Sequence, residues 1–180
     1  MLFRSTFNLE PAGSLSGRLD GVGGNNTLDY ASYGSSTAVN FETRSATGLF
    51  LGAANGFSNI ENFIGSGNAG AGGDTFTGLN SGVIYTIDGA DDFEFNSGGT
   101  IEVIDYANLN GGTGNDIFNI EPAGSLSGQL DGIGGNNTLD YASYGSSTAV
   151  NFETRSATGL FLFGARWEAY RISIEIPDTP

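Results

Sequence analysis

The sequence of 180 residues contains no cysteine, no histidine and no lysine. Without cysteine and histidine, the chain has no thiol nucleophile, no histidine acid or base, no Ser-His-Asp triad and none of the usual zinc sites. No disulfide supports the fold, so cysteine spacing gives no argument for a secreted location. Six arginines stand against twenty carboxylates, and the net charge is -14. Nucleic acid is therefore not expected as a partner, because its phosphates would be repelled.

Long apolar runs are also missing. No run approaches the roughly 18 residues that a membrane span needs, and the opening segment "MLFRSTFNLE" has no apolar stretch of signal-peptide length. We expect no membrane insertion, and the chain carries no recognisable signal peptide.

Glycine, by contrast, is abundant and occurs 30 times. Segments such as "TLDY", "AVNF" and "TIEVIDY" alternate apolar and polar residues, which is typical of β-strands. Between them lie turn-forming stretches such as "GGNN", "NSGG" and "NGGTGN". No segment shows a clean helical stripe of apolar residues, so the sequence predicts an all-β protein.

The chain contains a near-perfect internal duplication. Residues 7–51 recur at 118–162, and only three positions differ between the two units. The differences are Leu9/Ile120, Arg18/Gln129 and Val22/Ile133. The chain is therefore a repeat array, and one period runs from Phe7 to its copy Phe118.

A shorter period lies inside the long one. Large apolar residues recur along the chain at similar intervals, at Phe7, Leu28, Phe50, Phe76, Phe95, Phe118, Leu139 and Phe161. Short strands and turns at this spacing favour a right-handed parallel β-solenoid (a β-helix or β-roll) of about 21–22 residues per coil, with roughly eight coils. A β-sandwich and a disordered low-complexity chain are the alternatives.

The predicted domain organisation is one repetitive β-solenoid over residues 1–162 and a divergent tail over 163–180. The tail contains the amphipathic run "RISIEI". It is either a cap over the last strand edge or a junction where a longer repeat array was interrupted.

One turn completely matches the pattern G-G-x-G-x-D-x-U-x, where U is a large apolar residue. It is "GGTGNDIFN", which starts at Gly111. The related turns "GVGGNNTLD", "GIGGNNTLD" and "AGAGGDTFT" match it in part. With these turns the chain resembles the RTX-type (hemolysin-type) calcium-binding repeats and, more broadly, the large repetitive secreted or surface proteins of bacteria. That family stacks its nonapeptides directly in tandem, whereas here they are separated.

The resemblance implies a parallel β-roll or β-solenoid, Ca²⁺ as the usual ion, and a secreted or cell-surface location. Physically, such glycines let a turn curl so that carbonyls face inward, and the Asp adds a hard oxygen ligand. Calcium takes six to eight oxygens, so the turns that start at Gly111 and Gly132 would have to share one weakly bound ion. The candidate metal-site residues are Gly111, Gly112, Gly114, Asn115, Asp116, Asp131, Asn137 and Asp140. The same glycines and Asn/Asp residues also make good turns without an ion.

The densest acidic group, "DGADDFEF", contains Asp88, Asp91, Asp92 and Glu94. Paired carboxylates on a β-helix are the equipment of a glycoside hydrolase or a polysaccharide lyase. A solvated acidic turn explains the same residues without catalysis.

Together these patterns predict a non-enzymatic structural or adhesive repeat module of a bacterial secreted or surface protein. Its expected partners are Ca²⁺, a cell-surface or polysaccharide ligand, and further copies of itself through end-to-end association. A β-helical carbohydrate-active enzyme that uses the Asp88–Glu94 group is the alternative.

Overall fold

The computed structural model describes residues 3–49, 56–151, 156–161 and 170–173. Within these ranges the chain forms nineteen β-strands and no helix. The all-β class predicted from the sequence is therefore confirmed. No helix in this part of the chain is long and apolar enough to cross a membrane.

The strands, numbered along the chain, lie in four sheets. The nine-stranded sheet has the order β1 (Thr6–Asn8), β3 (Thr27–Asp29), β7 (Asn62–Ile64), β11 (Thr100–Ile104), β10 (Phe93–Asn96), β9 (Ile84–Ile87), β13 (Ile117–Ile120), β15 (Asn137–Asp140) and β19 (Tyr170–Ser173). The five-stranded sheet has the order β14 (Leu130–Asp131), β12 (Asn108–Asn110), β8 (Thr75–Thr77), β4 (Ala38–Asn40) and β5 (Ser45–Ala46). The small sheets contain β16 (Val150–Asn151), β17 (Ser156–Ala157) and β18 (Leu160–Phe161), and β2 (Arg18–Asp20) with β6 (Gly56–Ser58).

Most strand pairs are parallel. The antiparallel pairs are β9–β10–β11, β4–β5 and β16–β17–β18. Along the chain, β3, β7, β11 and β13 of the nine-stranded sheet are each followed by a strand of the five-stranded sheet. The chain therefore moves between the two sheets repeatedly.

A single core holds the inward side chains of both large sheets. Phe63 of β7 contacts Phe76 of β8 edge to face, with ring centroids 5.5 Å apart. Phe76 also contacts the rings of Phe93 and Phe95 in the β9–β10–β11 meander. Edge-to-face aromatic pairs are favourable beyond the area that they bury. These rings join the two sheets into one packed interior.

The predicted spacing of one coil holds for three parallel pairs, in which Phe7 pairs with Leu28, Phe118 with Leu139 and Leu109 with Leu130. The other parallel pairs join residues that lie much further apart in sequence, as Phe63 and Val103 do. The predicted spacing of about 21–22 residues therefore does not hold for these pairs. Extra segments such as the β9–β10 hairpin and β5–β6 lie between the strands that pair.

Several of the predicted anchors also have strand neighbours other than those of the expected ladder. Leu28 lies beside Phe63, and Phe76 lies beside Leu109. Phe50 lies outside the described residues. From the tail, Tyr170–Ser173 forms a strand parallel to β15 at the end of the nine-stranded sheet. The rest of "RISIEI" lies outside the described residues.

Candidate functional site

Buried polar side chains stand where strands begin, and they include the Asp of the complete nonapeptide. Five of them, each at most 4% exposed, form what we call the corner ladder: Asn26, Asp74, Asn108, Asp116 and Asn137. Each lies at the first residue of a strand or directly before it. Burial of this kind is costly unless every polar atom finds a partner.

In the nine-stranded sheet the ladder residues are linked through backbone amides. The Val83 N–H donates to Asp116 Oδ1 at 2.9 Å, and the Asp116 N–H donates to Asn137 Oδ1 at 2.9 Å. In the first unit, the Ser5 N–H donates to Asn26 Oδ1 at 3.1 Å in the same way. Each side-chain oxygen thus accepts the amide that precedes the neighbouring strand.

The five-stranded sheet repeats this arrangement. The Gln129 N–H donates to Asn108 Oδ1 at 2.9 Å, and the Thr37 N–H donates to Asp74 Oδ1 at 2.5 Å. The Asn108 amide group also donates to the carbonyl of Asp74 at 3.1 Å. Because buried backbone amides need acceptors, the ladder satisfies the amides where the chain enters β1, β4, β9, β13 and β14.

The two carboxylates of the ladder have different surroundings. Asp74 accepts hydrogen bonds from the backbone amides of Thr37, Ser66 and Asn68 and from the hydroxyls of Thr37 and Ser66. Asp116 accepts one, from Val83, and its Oδ2 is buried with no hydrogen-bond partner. Burial therefore raises the pKa of Asp116 to about 6, and the Val83 hydrogen bond opposes this rise only in part.

The glycine that opens the nonapeptide has a steric role. A Cβ on Gly111 would lie 2.4 Å from Asp116 Oδ2 and 2.9 Å from the Phe118 ring. In the first unit, a Cβ on Gly21 would lie 2.5 Å from the amide nitrogen of Asn26. The motif spacing therefore pairs a residue without a side chain with a buried Asn or Asp five positions later.

The side-chain oxygens of Asp131, Asp140 and Asn115, also predicted as metal ligands, accept hydrogen bonds from backbone amides. Asp131 Oδ1 accepts the Ile133 N–H at 2.8 Å, and Asp140 Oδ1 accepts the Ala142 N–H at 2.8 Å. Asn115 Oδ1 accepts the Asn136 N–H at 2.7 Å. Both aspartates thus close turns over their own chain, an arrangement typical of Asp and Asn without any ion.

Calcium fits the described residues poorly. In the described ranges, no three or more Asp, Glu, His or Cys side chains converge so that they could hold a metal ion. Asp116 Oδ2 is the buried carboxylate oxygen left without a partner there, whereas calcium takes six to eight oxygens. Gly112 and Gly114 pack closely against the backbone of Leu79 and of Ser81–Gly82. The metal site stays a prediction of the sequence.

The acidic group is divided by the fold. Asp88, Asp92 and Glu94 line an open groove of about 190 Å³. Asp91 does not line this groove, because its carboxylate accepts the amide and hydroxyl of Ser127 at 2.6 Å each. Burial raises the pKa of Asp92, and the Asp105 N–H, which donates to its carboxylate, opposes this rise. The nearby carboxylates of Asp105, Asp88 and Asp91 raise the pKa further. Asp92 therefore keeps its proton to a higher pH than an ordinary aspartate does.

Sequence reasoning missed two acidic residues that the fold places at these sites. Glu102 lies directly opposite Glu94 in the β10–β11 pair and lines the same groove. Glu61 takes the ladder position before β7, where its Oε2 accepts the Asn26 N–H at 2.7 Å. The sequence spacing could have identified Glu61, because Glu61, Asp74 and Asp116 each precede an inward-facing Phe by two residues.

Comparison of the chain with models of known protein families, with curated proteins and with solved structures found no match. The resemblance to RTX-type repeats therefore rests on the sequence motifs alone.

The substitution Gly111→Ala tests the steric role of the motif glycine. The new Cβ would overlap Asp116 Oδ2, so we expect a loss of about 1–3 kcal/mol in the free energy of unfolding, typical of overpacking. Gly72→Ala is the matched control, because nothing lies within 4 Å of the added Cβ and Gly72 lacks a positive φ. Denaturant unfolding measures both. Equal stability of the two variants would contradict the steric role.

The substitution Asp116→Asn tests the buried carboxyl. The unfolded chain loses this proton near the ordinary pKa of 3.8, whereas the folded chain keeps it up to about 6. The carboxyl therefore destabilises the fold increasingly as the pH rises from about 4 through 6. We expect Asp116→Asn to equal the wild type near pH 4 and to exceed its melting temperature at pH 7.5.

Asp74→Asn is the control for that measurement. Its amide would turn two hydrogens toward groups that now donate to the carboxylate, so we expect it to cost about 1–3 kcal/mol at neutral pH. A difference between wild type and Asp116→Asn that is the same at every pH would contradict the assignment.

Proposed function

We propose that the chain is a non-enzymatic structural module, built as a right-handed parallel β-solenoid, in a secreted or cell-surface protein of bacteria. The observation that carries the proposal is the corner ladder, in which side chains at successive strand starts are linked by hydrogen bonds. A chain that winds between two sheets and repeats the same buried corner has the properties of a scaffold. The secreted or surface location rests on the resemblance to RTX-type repeats.

Three further observations support a structural role. The inward side chains of both large sheets pack in one hydrophobic core. Tyr30 and Tyr141, equivalent residues of the two units, are buried and donate their hydroxyls to the carbonyls of Thr47 and Thr158. The duplication repeats these contacts nearly unchanged, as expected where stacking is selected. Adhesive contacts with a cell-surface or polysaccharide ligand would then be made by the outer, solvent-facing residues.

The competing proposal is a carbohydrate-active enzyme that uses the acidic groove. The raised pKa of Asp92 favours it, because a general acid must hold its proton. Glu94 and Glu102, opposite each other in the same groove, would supply the second carboxylate. All the charged side chains that line the groove are acidic, which disfavours binding of an acidic sugar.

A polysaccharide degradation assay separates the two proposals. For a structural module we expect no release of reducing ends or unsaturated products from a panel of neutral and acidic polysaccharides. Activity that is abolished in Asp92→Asn and in Glu102→Gln, and retained in Glu10→Gln outside the groove, would overturn the structural proposal. Retention of all activity in Asp92→Asn would remove the proposed general acid.

Weak calcium binding is tested by circular dichroism and thermal melting. A site of millimolar affinity predicts that about 10 mM Ca²⁺ raises the melting temperature, since ligand at ten times its dissociation constant stabilises by about 1.4 kcal/mol. The gain should vanish in Asp116→Asn, and equal ionic strength from Mg²⁺ is the control. No change in spectrum or melting would eliminate the calcium site.

A further inference from the structure

The duplication presents one strand in two different environments. In the second unit, β13 lies between β9 and β15. In the first unit the equivalent strand β1 lies at the end of the sheet, and β3 is its one neighbour among the described residues. Phe7 and Asn8 of β1 are identical to Phe118 and Asn119 of β13. The second unit thus shows which strand, β9, pairs with the edge that is open in β1.

The covering segment is Val83 to Asp91. It pairs in parallel with β13, and the Tyr85 and Phe118 rings stack with centroids 5.3 Å apart. Beyond the strand, the Glu121 N–H donates to the Ile87 carbonyl at 2.9 Å. The contact therefore continues past the ends of the strands.

The turn after β13 is held by the same segment. The Ser125 N–H donates to the Gly89 carbonyl at 2.9 Å. Asp91 closes the contact, because Oδ1 accepts the Ser127 N–H and Oδ2 accepts the Ser127 hydroxyl, each at 2.6 Å. Hydrogen bonds to a carboxylate are stronger than those between neutral groups.

The first unit exposes the surface that is covered in the second. Leu126 is 1% exposed, whereas its identical counterpart Leu15 is 39% exposed. Both leucines bridge to equivalent downstream residues, Leu160 and Leu49. The difference therefore arises on the other side, where Ala90 bridges to Ser125 in the second unit.

The turn that would receive the carboxylate is unchanged in sequence. Glu10, Gly13, Ser14, Leu15 and Ser16 are identical to Glu121, Gly124, Ser125, Leu126 and Ser127. Ser5, Thr6 and Leu9 stand where the second unit has Asp116, Ile117 and Ile120. The Ser16 amide and hydroxyl can therefore donate to a carboxylate, as those of Ser127 do. At the strand start, the hydroxyl of Ser5 replaces the Asp116 carboxylate that accepts the Val83 N–H in the second unit.

We propose that the first-unit edge, formed by β1 and the turn Glu10 to Ser16, docks a parallel strand from another repeat unit with the pattern of Val83–Asp91. The docking strand must have two inward side chains such as those of Tyr85 and Ile87, a glycine at the position of Gly89, and a carboxylate that binds Ser16. The inference rests on the proposed structural function, and it specifies the kind of partner that this end of the module accepts.

The test is titration of the ¹⁵N-labelled full chain with the synthetic peptide "GVIYTIDGADD", residues 82–92. We expect amide shift changes at residues 5–16 and none at 116–127, where the equivalent surface is already filled. An Asp91→Ala peptide should bind about tenfold more weakly, because both carboxylate hydrogen bonds are lost.

Variants of the chain provide matched controls. Ser16→Ala removes the hydroxyl donor and should weaken binding of the peptide. Ser14→Ala should leave binding unchanged, since its counterpart Ser125 uses its backbone amide and carbonyl. Leu15→Glu should abolish binding, because it places a second carboxylate beside Asp91 at a position already exposed to solvent.

Three results would overturn the proposal. The first is the absence of shifts at residues 5–16 with millimolar peptide, and the second is equal binding of the Asp91→Ala peptide. The third is light scattering that shows a dimer which Leu15→Glu abolishes, because a second copy of the chain would then fill this edge. None of them concerns polysaccharide activity, so a failure here is distinguishable from a failure of the proposed function.

Discussion

The structure depends on the hydrogen bonds between a buried side-chain oxygen and the backbone amide that precedes the neighbouring strand. The strands in this protein are short, so many chain segments enter a sheet and need their amides satisfied. An Asn or Asp that points inward at the strand start provides the acceptor. The same alternation that turns a Phe or Leu inward also turns inward the residue two positions earlier. The geometry of the strand therefore couples the position of the inward Phe or Leu to that of the Asn or Asp that accepts the amide.

This coupling explains why one turn matches the nonapeptide pattern completely and the related turns match it only in part. Asn serves as well as Asp when the task is to accept one amide, and its own NH₂ group finds a backbone carbonyl, as Asn137 does with Gly134. A carboxylate at this position needs further donors. Asp74 has them in the loop that contains Ser66 and Asn68, and Asp116 does not. The turn that matches the calcium motif most completely is thus also the corner whose buried carboxylate is the less satisfied of the two.

The acidic residues show how a tertiary fold separates neighbours in sequence. Asp91 and Asp92 are consecutive, yet Asp91 binds Ser127 of the second unit, and Asp92 lines a groove with Glu94. Asp91 has a positive φ of 62°, which turns the chain between the two positions. Two carboxylates that looked like a pair therefore have separate roles, one in holding a turn and one in a solvated groove. The partner of Glu94 in that groove is Glu102, brought opposite it by the β10–β11 pairing.

The sequence by itself determined the all-β class, the long duplication and the inward positions of Leu28, Phe76, Phe118 and Leu139, because alternation and self-similarity are local properties of the chain. It also determined that Asp and Asn would recur at fixed positions before those anchors. Only the tertiary structure decided which strands pair, since segments inserted between the strands change how far apart in sequence the paired residues lie. It also decided which neighbouring amides the side-chain oxygens at the strand starts accept. That choice depends on which backbone lies beside the turn, and no local pattern specifies it.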